Sequence, residues 1–372
     1  MDINQNCPAN CPGCAHRHLT LPESRQQKQQ WLFQKLSPWR DCIQPIQAPG
    51  PNQPQGYREK VCLSARETGG HWDIGLMTAD EVIPIPVCPV HSSRVKDAMA
   101  FFLRFLPRAS EFPMVYYVQS GAQVTLVLKS RAMPSLAWIT PDFTKQLESI
   151  GIEGIWIHRH PSAGRRVFAK NWWNLVWGKE RSIDMQGMVY GPTTFQQLIP
   201  GLFSQALDTA ESFLAPTTQD LIVDLYSGIG ASLARWSRKS SQVIGVELSG
   251  ESISCAASNV PSAAILRGSC RHRLPQLTEA LGTPHKKRLI YANPPRTGME
   301  THVRQWIGTV CRPEKIAYLS CSAGTLKRDL EVLEKQGYTI EQIIPYDFFP
   351  RTHHAETLAL LRLNNPAGFT KS

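Results

Sequence analysis

The sequence has no apolar run approaching the roughly 18 residues that a membrane-spanning helix needs, and this excludes a helical membrane protein. Its opening, MDINQNCPANCPGC, lacks the basic and then apolar build of a secretory signal, so a cytoplasmic location is expected. In that reducing compartment the ten cysteines are not expected to pair as disulfides. No internal repeat is present. Acidic residues are in short supply: 30 Asp and Glu stand against 40 Lys and Arg, a formal charge of +10 that predicts attraction to a polyanion. Also missing is the Gly-x-Gly-x-x-Gly fingerprint of a diphosphate cradle, which argues against a dinucleotide cofactor.

What is present fills 372 residues, 42% of them hydrophobic, more than one domain usually holds. A helix-like segment, ESRQQKQQWLFQKL, is separated by the proline-rich stretch IQAPGPNQPQGYREK from short strands at VCLSAR, DIGLM and EVIPIPV. An α+β middle section follows, and then strand and helix alternate as in a parallel α/β sheet. Three segments are expected: a cysteine-bearing one over 1–92, an α+β section over 93–183 and an α/β domain over 184–372.

Between Ile157 and Arg181 the chain reads IHRHPSAGRRVFAKNWWNLVWGKER. Arg159, Arg165, Arg166, Lys170, Lys179 and Arg181 there interleave with Trp172, Trp173 and Trp177. Cations for phosphates and flat rings for unstacked bases are the ingredients of single-stranded nucleic-acid binding. A core strand with its tryptophans turned inward fits the same letters.

The α/β segment carries the chemistry. In LIVDLYSGIGASLARWS an apolar strand ends in Asp224, and Gly228 and Gly230 turn the chain into a helix. Such a turn lets backbone approach a ligand at the carboxyl edge of a sheet. The next strand, QVIGVEL, ends in Glu247, placed to accept from two ribose hydroxyls. Without a diphosphate cradle, this arrangement suits S-adenosylmethionine better than NAD. Further along, NPPRTG resembles the base-holding loop of amino-group methyltransferases, except that Arg296 stands where those enzymes need an aromatic ring. The strand after it ends at Cys321, in LSCSAGTLKRDL. A buried filler is the ordinary fate of a free cysteine, but a thiol between a strand end and a helix start is placed as a nucleophile. Such a nucleophile is what carbon 5 of uracil requires: a thiolate adding to carbon 6 turns the ring into an enolate whose carbon 5 can take a methyl group. A base must then remove the hydrogen on carbon 5, and FFPRTHHAETL offers Glu356 beside His353 and His354.

Cys7, Cys11 and Cys14 form a C-x3-C-x2-C cluster, with Cys88 distant in PVCPVH. Four such thiolates accept zinc or an iron–sulfur cluster, and spacing alone leaves both open.

Together CPANCPGC, YREKV, VCPVH, TTFQQLIP, DLYSGIG, GVELS, NPPRTG, LSCSAGT and FFPRTHHAETL, in that order, resemble the RNA (uracil-5-)-methyltransferase family. The likeness is nearest to its 23S rRNA branch without an N-terminal barrel domain. The resemblance implies a class I, Rossmann-like methyltransferase domain behind an α+β RNA-binding section and an iron–sulfur segment. It implies Cys321 as nucleophile, Glu356 as base, and Gln197, Tyr226, Glu247 and Asn293 around cofactor and base. It also favours a [4Fe-4S] cluster on Cys7, Cys11, Cys14 and Cys88. The expected partner is RNA, 23S rRNA first, rather than DNA or a membrane, and the expected state is monomeric. A tRNA uridine methyltransferase and a catalytically degenerate RNA-binding protein are the alternatives. Two positions depart from the family: Ser322 stands where an asparagine follows the nucleophile, and Ser269 where an acidic residue meets the adenine amino group.

Overall fold

A computed structural model of the chain describes residues 7–50, 55–164 and 166–364. Arg165 of the basic segment lies outside them. The first element is helix α1 (Leu21–Lys35). Thr20 caps it reciprocally: its hydroxyl accepts from the Glu23 N–H, and the Glu23 carboxylate accepts from the Thr20 N–H at 2.7 Å. Its buried stripe is Ser24, Lys28 and Leu32, four residues apart. A 3-10 turn, Ser37–Cys42, follows.

The described residues form two compact units. One takes the chain up to His18 together with Gly50–Leu198, and the other takes Leu19–Pro49 together with Ile199 onward. The first is built on a seven-stranded sheet, with β1 (Lys60–Thr68), β2 (His71–Met77), β3 (Val82–Pro84), helix α2 (Ser93–Phe105), β4 (Met114–Ser120), β5 (Gln123–Leu128), helix α3 (Pro141–Ile150), β6 (Gly154–Arg159) and β7 (Trp173–Gly178). The strands lie in the order β3-β2-β1-β4-β5-β6-β7, antiparallel except where β5 meets β6. Phe101, Phe102 and Phe143 of the two helices cluster with Trp138 to fill its core. A short pair, β8 (Ser182–Ile183) and β9 (Val189–Tyr190), completes it.

In the second unit, α4 (Pro200–Leu214) precedes β10 (Leu221–Leu225), α5 (Ala231–Trp236), β11 (Gln242–Glu247), α6 (Gly250–Asn259), β12 (Ala264–Arg267), α7 (Cys270–Ala280), β13 (Arg288–Ala292), α8 (Thr301–Trp306), β14 (Lys315–Ser320), α9 (Ala323–Lys335), β15 (Tyr338–Tyr346) and β16 (Glu356–Leu363). The order β12-β11-β10-β13-β14-β16-β15 is parallel through β14 and antiparallel at β16. Chain order reverses at β10, and the crevice at such a switch point is where open α/β sheets bind ligands.

This partition corrects the expected segments 1–92, 93–183 and 184–372. No boundary falls near residue 92, because β1 to β7 share one hydrogen-bonded sheet. Residues 19–49 join the α/β unit because Leu32, Leu36, Trp39 and Ile43 are buried in the same core as Leu330, Leu333 and Ile343. Ile43 also bridges to Ile343, and Gln47 to Tyr346. Among the described residues, no helix is long and apolar enough to cross a membrane.

Candidate active site

Parallel register aligns the strand ends on one edge. Leu225 of β10 pairs with Val246 of β11 and Ala292 of β13, Ala292 pairs with Tyr318 of β14, and Ser320 pairs with Thr357 of β16. The residues that follow, Tyr226, Glu247, Asn293 and Cys321, together with Glu356 at the start of β16, therefore belong to that edge.

At the glycine turn, Tyr226, Gly228 and Gly230 all adopt left-handed φ, at 64°, 57° and 88°. A Cβ on Gly228 would meet nothing within 4 Å, whereas one on Gly230 would press Val260 and Ala256 of α6. The first glycine thus opens onto the crevice, and the second lets two helices approach. Glu247 accepts from Gly228 N–H at 3.0 Å and Ser249 N–H at 2.7 Å, and remains half-exposed at the mouth. Asp224 does not face the crevice as expected. It is fully buried, accepts from the Trp236 indole at 2.9 Å, and burial pushes its carboxyl up to about 7. Its place is beneath the turn, tying β10 to α5.

Ser269 caps α7, accepting from His272 N–H. A carboxylate nevertheless stands at that helix start, supplied by Glu300, which accepts from Arg271 N–H at 3.2 Å and lies 3.5 Å from the Tyr226 hydroxyl. Glu300 follows a loop in sequence, and no strand-end pattern marks it.

Cys321 is half-buried just beyond β14. Burial first, and then the negative charge of Glu356, push its thiol above the ordinary value, while Arg296 pulls it down. The structure therefore brings Cys321, Glu356 and Arg296 together. Desolvation of the thiolate is the largest of these influences. Ser322 caps α9, accepting from Thr325 N–H. His354, two residues before Glu356, is lowered to about 4 by burial, then by His353, Arg296 and Lys28.

The NPPRTG loop is fastened to α9. Gly298, at φ 73°, closes a turn on Pro295 O at 2.8 Å, and Arg328 donates to Thr297 O at 3.0 Å. Asp329 is the node beneath. Wholly buried, it accepts from Met299 N–H at 2.8 Å, the Tyr318 hydroxyl at 2.8 Å, Arg328 at 2.7 Å and Arg304. Sequence reasoning missed it, because an acid inside KRDLE looks like an exposed helix charge.

Gln197 lies in the other unit. There, Trp177 packs against the core and Trp173 stacks on His158 at 4.0 Å, so the inward alternative holds for these two rings. Trp172 is different, 45% exposed with φ at 69°. As for the cysteines, no set of three or more His, Cys, Asp or Glu converges as a metal-binding group among the described residues. Cys7, Cys11, Cys14 and Cys88 are thus not assembled as a finished ligand set. They are neighbours all the same: burial and then the charges of Cys88, Cys11 and Cys7 push the Cys14 thiol up to about 11, and Cys11 and Cys88 pack on one core.

Residues 192–364 match the family described as tRNA (uracil-5-)-methyltransferase. An uncharacterized RNA methyltransferase of Clostridium tetani is 26% identical, over 94% of this chain and 80% of its own. Another, of Lactobacillus johnsonii, is 27% identical over 84% and 73%. Among solved structures, the Pyrococcus abyssi tRNA (uracil-54, C5)-methyltransferase in complex with S-adenosyl-L-homocysteine is similar in fold. It has a TM-score of 0.72 and 21% identity, covering 95% of this chain and 85% of that one.

Proposed function

We infer, from the premise that the chain belongs to the RNA (uracil-5-)-methyltransferase family, that it methylates carbon 5 of a uridine in RNA through Cys321 and Glu356. The observation that carries this reading is the pairing of Ser320 with Thr357, which sets Cys321 and Glu356 at neighbouring strand ends, within electrostatic reach of each other and of Arg296. The Cys321 thiolate forms a bond to carbon 6, and the electrons of the 5,6 double bond move to the oxygen on carbon 4. S-adenosylmethionine, when bound, supplies the activated methyl group that carbon 5 takes. Glu356 then accepts the hydrogen of carbon 5 as a proton, the double bond reforms, and the carbon–sulfur bond breaks to return the thiolate.

The crevice residues fit that donor. Gly228 faces open space and the Glu247 carboxylate stands half-exposed beside it, so the turn would cradle the adenosine and Glu247 would accept from its ribose. Tyr226 and Asn293 are proposed as further contacts. Asp224 and Gly230 support the turn from behind.

For the substrate we propose 23S rRNA, on the resemblance to the branch without a barrel domain. The second reading, tRNA, is favoured by the activity of the structural neighbour. Mass spectrometry of both RNAs from a deletion strain decides: loss of 5-methyluridine from rRNA supports the first reading, and loss from tRNA the second. For the chemistry, wild-type protein should form a covalent adduct with RNA carrying 5-fluorouridine, and Cys321→Ala should bind RNA without methylating it. Wild-type turnover by Cys321→Ala would overturn the assignment.

For the N-terminal cysteines we propose a [4Fe-4S] cluster held by Cys7, Cys11, Cys14 and Cys88. The proposal is supported by four soft sulfurs within electrostatic reach of one another. A cation there would also offset the mutual repulsion of their thiolates.

A further inference from the structure

The hairpin loop that leads into Glu356 is gripped by a residue far from it in sequence. Strands β15 and β16 pair as far as Tyr346 and Glu356, leaving residues 347–355 as the connecting loop. Lys28 of α1 reaches that loop. Its Nζ lies 2.5 Å from Asp347 Oδ1 and donates to Phe349 O at 2.9 Å, and the two charged side chains are 1% and 2% exposed. The Phe349 carbonyl also accepts from the Thr352 hydroxyl at 2.9 Å, and that hydroxyl accepts from His354 N–H at 3.1 Å. Continuous hydrogen bonds thus run from Lys28 to within two residues of Glu356. Two more contacts hold the loop's shape: Asp347 N–H donates to Gln47 O at 2.8 Å, and Arg351, in the left-handed region, donates to Leu19 O at 3.2 Å.

As a source of stability the pair is poorly chosen. Desolvating an ammonium and a carboxylate consumes most of their attraction, and apolar side chains of similar volume do as well or better. What an ion pair supplies and an apolar pair cannot is direction: one ammonium fixes a carboxylate and a carbonyl at once. Proton removal needs a carboxylate aimed at the hydrogen of one ring carbon, and small misplacements of a reacting group are costly in rate.

We propose that Lys28 and Asp347 are positioning residues for the base, setting the 347–355 loop so that the Glu356 carboxylate meets the carbon 5 hydrogen, an inference that rests on Glu356 being that base. The pair acts after methyl transfer and leaves the nucleophile just beyond β14 untouched. Removing it should therefore slow proton release more than adduct formation.

The test uses full-length protein and RNA tritiated at carbon 5 of uridine. Release of tritium to water reports proton removal, and the methylated covalent complex reports the earlier steps. Lys28→Met alone leaves a carboxylate buried without its partner and can fail to fold, so two other variants carry the test. Lys28→Met/Asp347→Leu removes both charges, and Asp347→Asn keeps an acceptor for the ammonium. The comparison is made on whichever variant retains wild-type affinity for S-adenosylhomocysteine, with Glu356→Gln beside it. The expected result is a fall of about tenfold to a hundredfold in the ratio of tritium release to adduct formation, with adduct accumulating. Equal slowing of both steps, or none, overturns the proposal. If Glu356→Gln itself releases tritium normally, the fault lies with the reading of the base and not with the pair.

Discussion

At the scale of single residues, Cys321 sits between two opposing charges. Burial and Glu356 raise its thiol, and Arg296 lowers it. Under the proposed mechanism only the thiolate adds to carbon 6, so reactivity should climb with pH, and the climb should be centred above the ordinary thiol range. Neutralising the carboxylate in Glu356→Gln removes a charge that disfavours the thiolate and should move the profile to lower pH. Arg296→Met removes a charge that favours it and should move the profile higher. Iodoacetamide labelling across pH, read at Cys321 by peptide mass spectrometry without substrate, measures both shifts, and an unmoved profile in Glu356→Gln would refute the coupling. The placement of Cys321 and Glu356 at the edge of the sheet was legible in the sequence because a strand boundary tells which residues reach that edge. Asp224 was not, because a strand's final turn can send an acid outward or beneath the glycine loop with the same letters. Lys28 was invisible for a related reason: in ESRQQKQQ nothing separates the one buried cation from its solvated neighbours.

Elements depend on nodes that no periodicity reveals. Asp329 joins α8, α9, β14 and the NPPRTG loop through Arg304, Arg328, Tyr318 and Met299. Asp329→Ala strands the 8% exposed Arg304 guanidinium and should cost about 3–5 kcal/mol in urea unfolding. It should also weaken RNA methylation through the loosened loop that carries Asn293 and Arg296. A loss under about 1 kcal/mol would mean that the node is dispensable. The alternation of strand and helix after residue 199 was legible because each strand is a short apolar run closed by a turn. The helix at residues 21–35 was legible too. Its allegiance was not, since local pattern says that a helix forms but not which sheet, hundreds of residues away, supplies the apolar face that Leu32 needs.

The whole molecule carries a formal +10, and the RNA partner agrees with that surplus. If Cys7, Cys11, Cys14 and Cys88 hold one cubane, protein purified without oxygen should be brown and contain about four irons with matching sulfide. Chelation or Cys88→Ser should then loosen the N-terminal residues. RNA affinity should fall more than affinity for S-adenosylhomocysteine, because Glu247 and the glycine turn belong to the other unit. A colourless preparation with one zinc would keep the thiolate site and discard the cluster. The allegiance of residues 19–49 also bears on how the chain is made. Lys28 leaves the ribosome 319 residues ahead of the aspartate it pairs with, so the α/β unit cannot close until Asp347 has been made. The strands of the first sheet, in contrast, are contiguous from Lys60 to Gly178, and nothing in their pairing waits for later chain. Synthesis therefore delivers a finished sheet while α1, born earlier, is still without its partner, and a helix made before that sheet is buried only after it.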